Sequence, residues 1–488
     1  MPYEVVIGLE VHAQLVTKTK MFCSCSADYA DSPPNSTVCP VCLGMPGVLP
    51  VANRKAVEFT IMTGLALGCS IPDWAKFDRK NYPYPDLMKG YQISQFDAPL
   101  CVNGALTIVG KDGVTRRAGI TRVHLEEDTA RLLHRTDENG QSHSLIDVNR
   151  AGTPLMEIVG EPDLRTPEEA RLYLQKLRRI LRYLGVSTGN MEEGSFRCDA
   201  NISLRPFGET RLGAKVEVKN MNSFSSVEKA LEFEIRRQTE LLDRGERIIQ
   251  ETRGWVEDKG YTVGQRSKEQ AHDYRYFPEP DLPPIVVSRA WVDEIRARMP
   301  ELPDEKEARY QSALGLSAYD AVQLAADRGT AEYFEKAVAA SADGAARAKA
   351  LANWIINDVN GALNARNEEL DALLVSPAAL NGLLDLIDNG TLSVKIARDV
   401  FGKMVETGQP AQAIVAEQGL EQISDDSVVL NAISAAIAEH PKAVEDYRAG
   451  KTAALDFLFG KVMKATRGKA NPQLTRRLLG DQLGALSR

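Results

Sequence analysis

Four short stretches of the chain alternate apolar and polar residues with a period of two, which predicts β-strands. The stretches are residues 5–15, 123–128, 197–205 and 215–219. Each predicted strand has one apolar face and one polar or charged face. The polar positions are Glu10, His12 and Gln14 in the first stretch, His124, Glu126 and Asp128 in the second, Arg197, Asp199, Asn201, Ser203 and Arg205 in the third, and Lys215, Glu217 and Lys219 in the fourth.

These polar faces have two interpretations. An antiparallel sheet often leaves one face to solvent, so a single alternating strand carries no functional information. Exposed strand positions usually hold Thr, Lys or Tyr, however, whereas these strands repeat Glu and Asp. If the strands share one sheet, its second face is a floor of carboxylates, imidazole and cations that suits a divalent metal and a phosphate-bearing substrate. His12 is then either a hydrogen-bonded structural residue or a metal or phosphate ligand, because Glu10 lies on the same face.

Turn residues and helical periodicity predict the remaining elements of residues 1–290. Asn-Gly or Asp-Gly pairs at 103–104, 112–113 and 139–140 separate short apolar runs, as in antiparallel hairpins. One helix is predicted to begin at the capping box of Thr166 and Glu169 and to end at Gly185. A second is predicted from about 225 to 243. Together these elements predict an α+β domain on a largely antiparallel sheet.

The composition changes after the segment 278–284, which is rich in proline and stiff. From about residue 293 alanine is abundant, glycine is sparse and helical periodicity dominates. A chain of 488 residues exceeds one hydrophobic core, so several domains are expected. We predict an antiparallel-sheet domain over 1–292, a helical domain over 293–408 and a helical tail over 409–488.

Charge and hydropathy restrict the class of protein. The formal net charge is -8, which gives no general attraction for nucleic acid. Residues 441–488 differ from the rest, because ten Lys and Arg stand against four Asp and Glu there, and such a basic region favours a polyanionic partner. The N-terminus lacks a signal-peptide pattern, and the chain has no run of about 18 apolar residues. We therefore expect a cytoplasmic protein with no membrane span.

Four of the seven cysteines lie within 20 residues, in the spacing C-x-C-x13-C-x2-C. In a cytosolic chain this spacing favours a tetrahedral zinc site over disulfides, and a set of free buried thiols is the alternative. Four thiolates close the coordination shell, so the zinc would be structural and would stabilise an intervening loop that has little apolar content. The four are Cys23, Cys25, Cys39 and Cys42, whereas Cys69, Cys101 and Cys198 are expected in the core.

The sequence contains no Walker A motif, no G-x-G-x-x-G after a strand and no G-x-S-x-G, so a nucleotide would have to bind on a sheet face. Three loops carry groups that an anion needs, at 78–82, 191–197 and 271–277. Taken singly, they also fit surface ion pairs, a turn and a packed aromatic loop. Beside an acidic sheet face they suggest phosphoryl transfer, in which Lys or Arg holds phosphate oxygens while carboxylates hold Mg²⁺.

Taken together, these segments resemble the B-subunit family of the bacterial tRNA-dependent amidotransferase, the GatCAB complex. The matching stretches are 8–12 (GLEVH), 78–82 (DRKNY), 89–95 (KGYQISQ), 124–128 (HLEED), 149–155 (NRAGTPL), 191–203, 219–224 (KNMNSF) and 272–284. They span almost all of residues 1–290. Residues 410–488 also resemble the C-terminal domain of that family.

The resemblance implies a cradle domain with a glutamine-synthetase-like kinase fold, a helical domain and a YqeY-like helical tail that reaches tRNA. It implies that ATP phosphorylates the side-chain carboxyl of Glu-tRNA(Gln) or Asp-tRNA(Asn), and that ammonia then displaces phosphate. The implied cofactors are ATP, Mg²⁺ and a structural Zn²⁺ that only part of the family carries. The implied partners are the amidase A subunit, which releases ammonia from glutamine, the small C subunit, and misacylated tRNA, with the misacylating synthetase as an optional further partner.

The resemblance also assigns candidate residues. The Mg²⁺ candidates are Glu10, His12, Glu126 and Glu217, with Glu127 and Glu193 as weaker ones. Lys80, Lys219 and Arg275 would hold phosphate or the carboxylate substrate, and Asn201 and Tyr276 are further candidates for contacts with ATP. The tRNA-binding candidates on the tail are Lys461, Lys464, Arg467, Lys469, Arg476 and Arg477.

Two other classes of function are alternatives. A pure tRNA-binding adaptor would leave activation to a partner, but it predicts basic residues where this sheet face has carboxylates, because an acidic face repels RNA. A free-standing ATP-dependent ligase acting on small amino acids would need no polyanion platform. A Ser-Ser-Lys amidase signature is not found, so glutaminase activity would belong to a partner.

Overall fold

The structure is a computed structural model that describes residues 3–267, 274–420, 426–449, 451–466, 470 and 472–485. Its strands are β1 (Tyr3–Gln14), β2 (Trp74–Ala75), β3 (Asp78–Asn81), β4 (Tyr91–Ser94), β5 (Cys101–Val109), β6 (Thr115–Glu127), β7 (Arg131–Thr136), β8 (Ser142–Asp147), β9 (Pro154–Gly160), β10 (Phe196–Pro206), β11 (Val216–Lys219), β12 (Glu251–Val256), β13 (Tyr261–Ser267), β14 (Phe277–Pro278) and β15 (Ile285–Val286).

The helices lie mainly in the second half of the chain. They are α1 (Arg54–Ala66), α2 (Pro167–Leu184), α3 (Phe224–Asp243), α4 (Arg289–Ala297), α5 (Pro303–Leu314), α6 (Ala318–Leu324), α7 (Arg328–Ala340), α8 (Ala348–Trp354), α9 (Asn360–Arg366), α10 (Pro377–Asp388), α11 (Val394–Thr407), α12 (Ala411–Gln418), α13 (Asp426–Glu439), α14 (Pro441–Arg448), α15 (Ala453–Ala465) and α16 (Pro472–Ala485). A π-helical segment, Ile355–Val359, joins α8 to α9.

One large sheet organises the first half of the chain. Its strand order is β13-β12-β11-β10-β1-β9-β6-β5, and all neighbours are antiparallel except β11 and β12. All four alternating stretches form strands of this sheet, which confirms the predicted α+β class. The parallel pair was not predicted, and helix α3 lies in the crossover connection that such a pair requires.

One face of the large sheet carries the core. Its side chains from β1, β6, β10 and β11 are buried and pack in one hydrophobic cluster with α1, α2 and α3. The predicted start of α2 is confirmed, because Thr166 accepts a hydrogen bond from the Glu169 backbone N–H at 3.1 Å. Gly185, in the left-handed region at φ 66°, ends that helix as predicted. The second predicted helix is α3. The helices therefore cover the apolar face and leave the polar face open to a site.

Three smaller sheets flank the large one. The order of the three-stranded sheet is β14-β3-β4, while β2 pairs with β15 and β7 forms a hairpin with β8. The segment 78–82 was predicted as a loop, but residues 78–81 form strand β3. Lys80 therefore lies on a strand, opposite Gln92. A β-strand fixes the direction of that side chain more firmly than a loop would.

The chain divides into two compact units, one ending at Pro303 and one beginning at Asp304. The sheets lie in the first unit. The second contains two hydrophobic clusters, one formed by residues between Tyr310 and Val415 and the other by residues between Val429 and Leu483. The boundaries at 292 and 408 stay predictions. Among the described residues, no helix is long and apolar enough to cross a membrane.

Candidate active site

A row of four polar side chains crosses the centre of the large sheet. Glu157 on β9 pairs with His124 on β6 and with His12 on β1, and His12 pairs in turn with Arg197 on β10. The His124 Nε2 and His12 Nε2 atoms lie 3.2 Å and 3.4 Å from Glu157 Oε2. One carboxylate is therefore held between two imidazoles, on the face opposite the core.

Glu126 adds a second carboxylate to this row. Its Oε1 lies 3.6 Å from His12 Nε2 and its Oε2 lies 3.9 Å from His124 Nε2. The Ser94 hydroxyl donates to the same Oε2 at 3.1 Å, which orients the carboxylate. One ligand atom each from His12, Glu126 and Glu157 lies within 4.8 Å of the other two. We call these three residues the acid–imidazole cluster.

The charges in the acid–imidazole cluster are strongly coupled. Burial disfavours the charged form of His12, but the carboxylates of Glu157, Glu126 and Asp199 outweigh it and raise its pKa to about 9. Burial alone would raise the pKa of Glu157, yet His124 and His12 hold it well below its usual range. The two carboxylates therefore favour a positive charge on His12.

Lys80 brings a second cation to this face. Its Nζ lies 5.1 Å from the ring centroid of Tyr274 and 5.9 Å from that of Tyr82. Burial favours the neutral amine, but Glu126 and Glu157 are among the charges that raise the Lys80 pKa well above its usual value. Tyr276 is stacked on Phe96, with centroids 4.2 Å apart and planes 7° apart. Aromatic rings and the acidic row therefore enclose a charged ammonium.

Glu10 lies two residues before His12, on the same face of β1. The Asn201 amide donates to Glu10 Oε1 at 2.8 Å, and Asp199 is the residue paired with Glu10 across the strands. Lys219 forms an ion pair with Asp199 and lies 3.4 Å from Glu217 Oε1. The predicted Mg²⁺ ligands are therefore not one group: His12 and Glu126 meet Glu157, whereas Glu10 and Glu217 have other neighbours on the sheet.

Asp128 lies on the polar face of the sheet, and its three side-chain partners line a large cleft. It accepts hydrogen bonds from Gln14 Nε2 at 2.7 Å and Arg197 Nη2 at 3.0 Å, and Arg150 Nε lies 3.7 Å from it. The cleft has a volume of about 990 Å³. Its lining includes Lys18, Tyr29, Arg131, Arg150, Arg197 and the predicted loop 191–197 with Glu193. The charged side chains of the lining are Lys18, Arg131, Arg150 and Arg197 against Asp28, Glu192 and Glu193, so the cleft has the size of a ligand pocket and offers groups of both signs.

Two predicted residues lie apart from the acid–imidazole cluster. Glu127 forms an ion pair with Lys89 and accepts from the Ile93 backbone N–H at 3.0 Å, because neighbouring positions of a strand point to opposite faces. Arg275 has an exposed side chain and a left-handed backbone at φ 44°, and its carbonyl accepts from the Asn81 amide at 2.9 Å. Residues 271–273 of the same loop lie outside the described residues.

Some residues of this face were not among the predicted site residues. His124 and Asp199 were placed on the polar face but given no role. Glu157 was missed entirely, because β9 is otherwise an apolar strand without alternation. The available signal was a single glutamate among Leu, Met, Ile and Val in a buried strand, where an uncompensated carboxylate is costly.

Comparison with known proteins supports this architecture. Residues 5–293 match the family described as the GatB/GatE catalytic domain, and residues 332–483 match the GatB domain. The chain is 58% identical to the B subunit of the aspartyl/glutamyl-tRNA(Asn/Gln) amidotransferase of Dehalococcoides mccartyi over 484 residues, 98% of each chain. It is 56% identical to that of Thermomicrobium roseum and 53% identical to that of Carboxydothermus hydrogenoformans, over 99% of each chain.

The chain belongs to the B-subunit family of these amidotransferases.

This member of the B-subunit family also has a four-cysteine cluster. One sulfur from each of Cys23, Cys25, Cys39 and Cys42 lies within 4.8 Å of the others. The Cys39 and Cys42 sulfurs are 3.9 Å apart, and a tetrahedron with bonds of about 2.3 Å has edges of about 3.8 Å. A hydrogen bond from Cys23, the Cys39 backbone N–H and the buried Lys20 lower the Cys42 pKa to about 4. The donor set fits a thiolate-bound zinc ion.

The helical tail carries the predicted tRNA-binding residues. Lys461 lies over the Phe457 ring, with Nζ 5.0 Å from the centroid, and Lys464 is exposed. Arg476 Nη1 lies 3.0 Å from Asp456 Oδ1, and Arg477 Nη2 lies 3.9 Å from Asp426 Oδ2. Arg467 and Lys469 lie outside the described residues. The four predicted tRNA-binding residues in the described part lie on α15 and α16.

Proposed function

We propose that this chain uses ATP to activate the side-chain carboxyl of Glu-tRNA(Gln), Asp-tRNA(Asn) or both, for amidation by ammonia from a partner subunit. Family membership supports a subunit role in this conversion. The observation that carries the chemical part is the acid–imidazole cluster of His12, Glu126 and Glu157, whose two carboxylates also raise the pKa of Lys80. Neither the adaptor nor the small-molecule ligase is favoured, because the family match covers both the sheet domain and the tail.

The reaction has two steps. A carboxylate oxygen of the aminoacyl group attacks the γ-phosphorus of ATP, the bond to the β-phosphate bridging oxygen breaks, and ADP leaves. Ammonia then attacks the carbonyl carbon of the acyl phosphate and loses a proton, and phosphate leaves with the original carboxylate oxygen. A carboxylate is a poor electrophile until that oxygen becomes part of a leaving group. The site must therefore hold a polyphosphate and a carboxylate together.

The residues present fit a divalent cation. Ligands bound at about 2.1 Å lie at most about 4.2 Å apart, and His12 Nε2 lies 3.4 Å and 3.6 Å from the two carboxylates. Mg²⁺ bound there would screen the phosphate oxygens from the acidic face and stabilise charge on the transferring phosphoryl group. Lys80 would hold phosphate oxygens, while Glu126 and Glu157 would hold the cation. Glu10, Glu217 and Lys219 would extend the site along the sheet.

Further assignments rest on the same proposal. The Lys and Arg side chains of the cleft beside Asp128 would take a phosphate-bearing part of ATP or of the aminoacyl-tRNA end, and Glu193, Asn201, Arg275 and Tyr276 stay candidates for those contacts. The four cysteines would hold a structural zinc. Partners would be an amidase subunit, a small third subunit and misacylated tRNA, in the cytoplasm.

The test is transamidation of both misacylated tRNAs by the reconstituted complex, with wild type compared with Glu157→Gln. The variant should lose tRNA-dependent ATP hydrolysis and amide formation while keeping its fold and subunit assembly. Glu161→Gln is the matched control, because that exposed glutamate follows the same strand and bonds to Thr121 at 2.6 Å. Wild-type ATP turnover by Glu157→Gln would overturn the assignment.

A further inference from the structure

Helix α15 has a second face besides the one that packs in the tail. Leu458 and Val462 are four residues apart and are buried in the tail core. Phe457 and Lys461 are also four residues apart, but they lie outside that stripe, and the Phe457 side chain is 48% exposed. A single exposed ring is common on protein surfaces, so its surroundings decide whether it forms a site.

Phe457 lines a depression of about 470 Å³, within the range of about 300–1,000 Å³ that ligand pockets occupy. His440, which caps α14, meets the Phe457 ring edge-on, with centroids 5.3 Å apart and planes at 74°. Small apolar side chains complete the lining, namely Pro441, Ala443, Ala453 and Ala454. The depression therefore combines two aromatic rings with a smooth apolar surface.

The charged groups around the depression include cations that can approach a phosphate. Glu439 and Asp446 are the acids of the lining, and Lys451 Nζ lies 2.8 Å from Asp446 Oδ1. Lys442 also lines the depression, and Lys461 lies above the Phe457 ring. The lysine side chain has four flexible methylene groups. The Lys461 ammonium can therefore move from the Phe457 ring to the phosphate of a bound nucleotide while the helix stays in place.

We propose that this depression binds one unstacked nucleobase from a single-stranded part of the tRNA substrate, stacked on Phe457 beside His440. RNA loops present such bases to aromatic side chains, whereas paired segments do not. Lys461 would turn from the ring to the phosphate next to that base. This inference rests on the proposed tRNA-dependent function, and it adds a stacking site to a tail otherwise described by its charge.

The size of the surface favours a nucleobase over a protein partner. A stable protein interface buries about 800 Å² on each side and is centred on several large side chains. Here Phe457 is the large apolar side chain, and the remaining apolar lining is Ala and Pro. One flat aromatic ligand matches this surface, and the base identity would matter little because every base has a π-face.

The experiment measures tRNA affinity of the full reconstituted complex between about 50 and 200 mM salt. Phe457→Ala should weaken binding about 5- to 150-fold, the equivalent of the ~1–3 kcal/mol that one base stack supplies, at an unchanged salt slope. Lys461→Gln should instead reduce that slope by about 0.7–0.9, because one phosphate contact is lost. Phe457→Trp should retain binding.

Tyr319→Ala is the matched control, because Tyr319 is a 67% exposed aromatic ring on helix α6 and should leave affinity unchanged. Unchanged tRNA affinity in Phe457→Ala would overturn the proposal, and lost subunit assembly at unchanged affinity would assign the surface to a protein partner. Phe457→Ala should keep the wild-type kcat at saturating tRNA. The carboxyl-activation proposal is tested separately, by ATP turnover of Glu157→Gln, where wild-type turnover would contradict it.

Discussion

Two groups of side chains in the sheet domain bring potential metal ligands together, and they are assembled in opposite ways. The four cysteines come from one segment of 20 residues, whereas His12, Glu126 and Glu157 come from three strands far apart in the chain. In the first group every ligand is a sulfur of the same kind. In the second, the ligand atoms are carboxylate oxygens and an imidazole nitrogen, and the two carboxylates raise the pKa of Lys80.

The difference is the one expected between a structural site and a reactive one. Four thiolates fill the coordination shell of zinc and leave no position for a substrate. Two carboxylates and one imidazole leave positions free for phosphate oxygens, and the sheet beneath fixes them. We infer that the four cysteines, the closed site, stabilise their loop. The acid–imidazole cluster, the open site, relies on the rigid sheet to hold its ligand atoms in position.

Removing one carboxylate from the open site should have the largest effect on turnover. We expect Glu126→Gln to lower tRNA-dependent ATP hydrolysis by about 10²–10³-fold, the loss typical when one charge-stabilising group is removed. The thermal midpoint and the subunit assembly should remain near those of the wild type. ATP turnover in steady state checks this, and wild-type turnover in the variant would remove Glu126 from the chemistry.

Removing one thiolate from the closed site should affect stability instead of chemistry. Cys39→Ser should lose most of its zinc, about one ion per chain in the wild type, and melt at a lower temperature. Turnover per folded molecule should change less than twofold. Metal analysis with thermal melting checks this prediction. Protein purified without chelator that contains no zinc would contradict the site itself.

A third buried cluster sharpens the comparison, because its charges are already satisfied. Glu234 is fully buried and accepts from Arg237 at 2.8 Å and from Thr262 at 2.6 Å. Burial opposes ionisation, but these hydrogen bonds hold the Glu234 pKa below its ordinary value of 4.5. When the pKa of a carboxyl group is lower in the folded state than in the unfolded state, its charge stabilises the fold. This stabilisation is fully present above the unfolded-state pKa and is lost as the pH falls through the folded-state pKa.

The difference in unfolding free energy between the wild type and Glu234→Gln should therefore shrink as the pH is lowered from about 6 towards 3. Denaturant melts across that range measure it. ATP turnover of the variant at neutral pH should stay within a few fold of the wild type when normalised to folded protein. A difference independent of pH would show that the charge of Glu234 is not what stabilises this region.

Local patterns predicted much of this molecule. Alternation placed His12 and Glu126 on one polar face, the cysteine spacing grouped four sulfurs, and the capping box located α2. Each of these signals lies within one element or loop, where the backbone period alone sets the side-chain direction.

The pairing of strands required the structure. Glu157 meets His12 only because β9 lies between β1 and β6, and its own strand shows no alternation. Lys80 reaches the acidic row through a separate small sheet. Glu127 follows Glu126 in sequence but points the opposite way, to Lys89. Long-range strand pairing decides where Glu157 and Lys80 lie, and no local pattern encodes it. The direction of Glu127 follows from the local strand period, which was not applied to it.

The central claim is that the acid–imidazole cluster activates the carboxyl group, and oxygen transfer tests it most directly. Aminoacyl-tRNA labelled with ¹⁸O in the side-chain carboxylate is incubated with the complex, ATP and free ammonia, so that glutamine hydrolysis is bypassed. The wild type and Glu161→Gln should transfer ¹⁸O to inorganic phosphate at equal rates, and Glu157→Gln should transfer none. Transfer by Glu157→Gln at the wild-type rate would contradict the account.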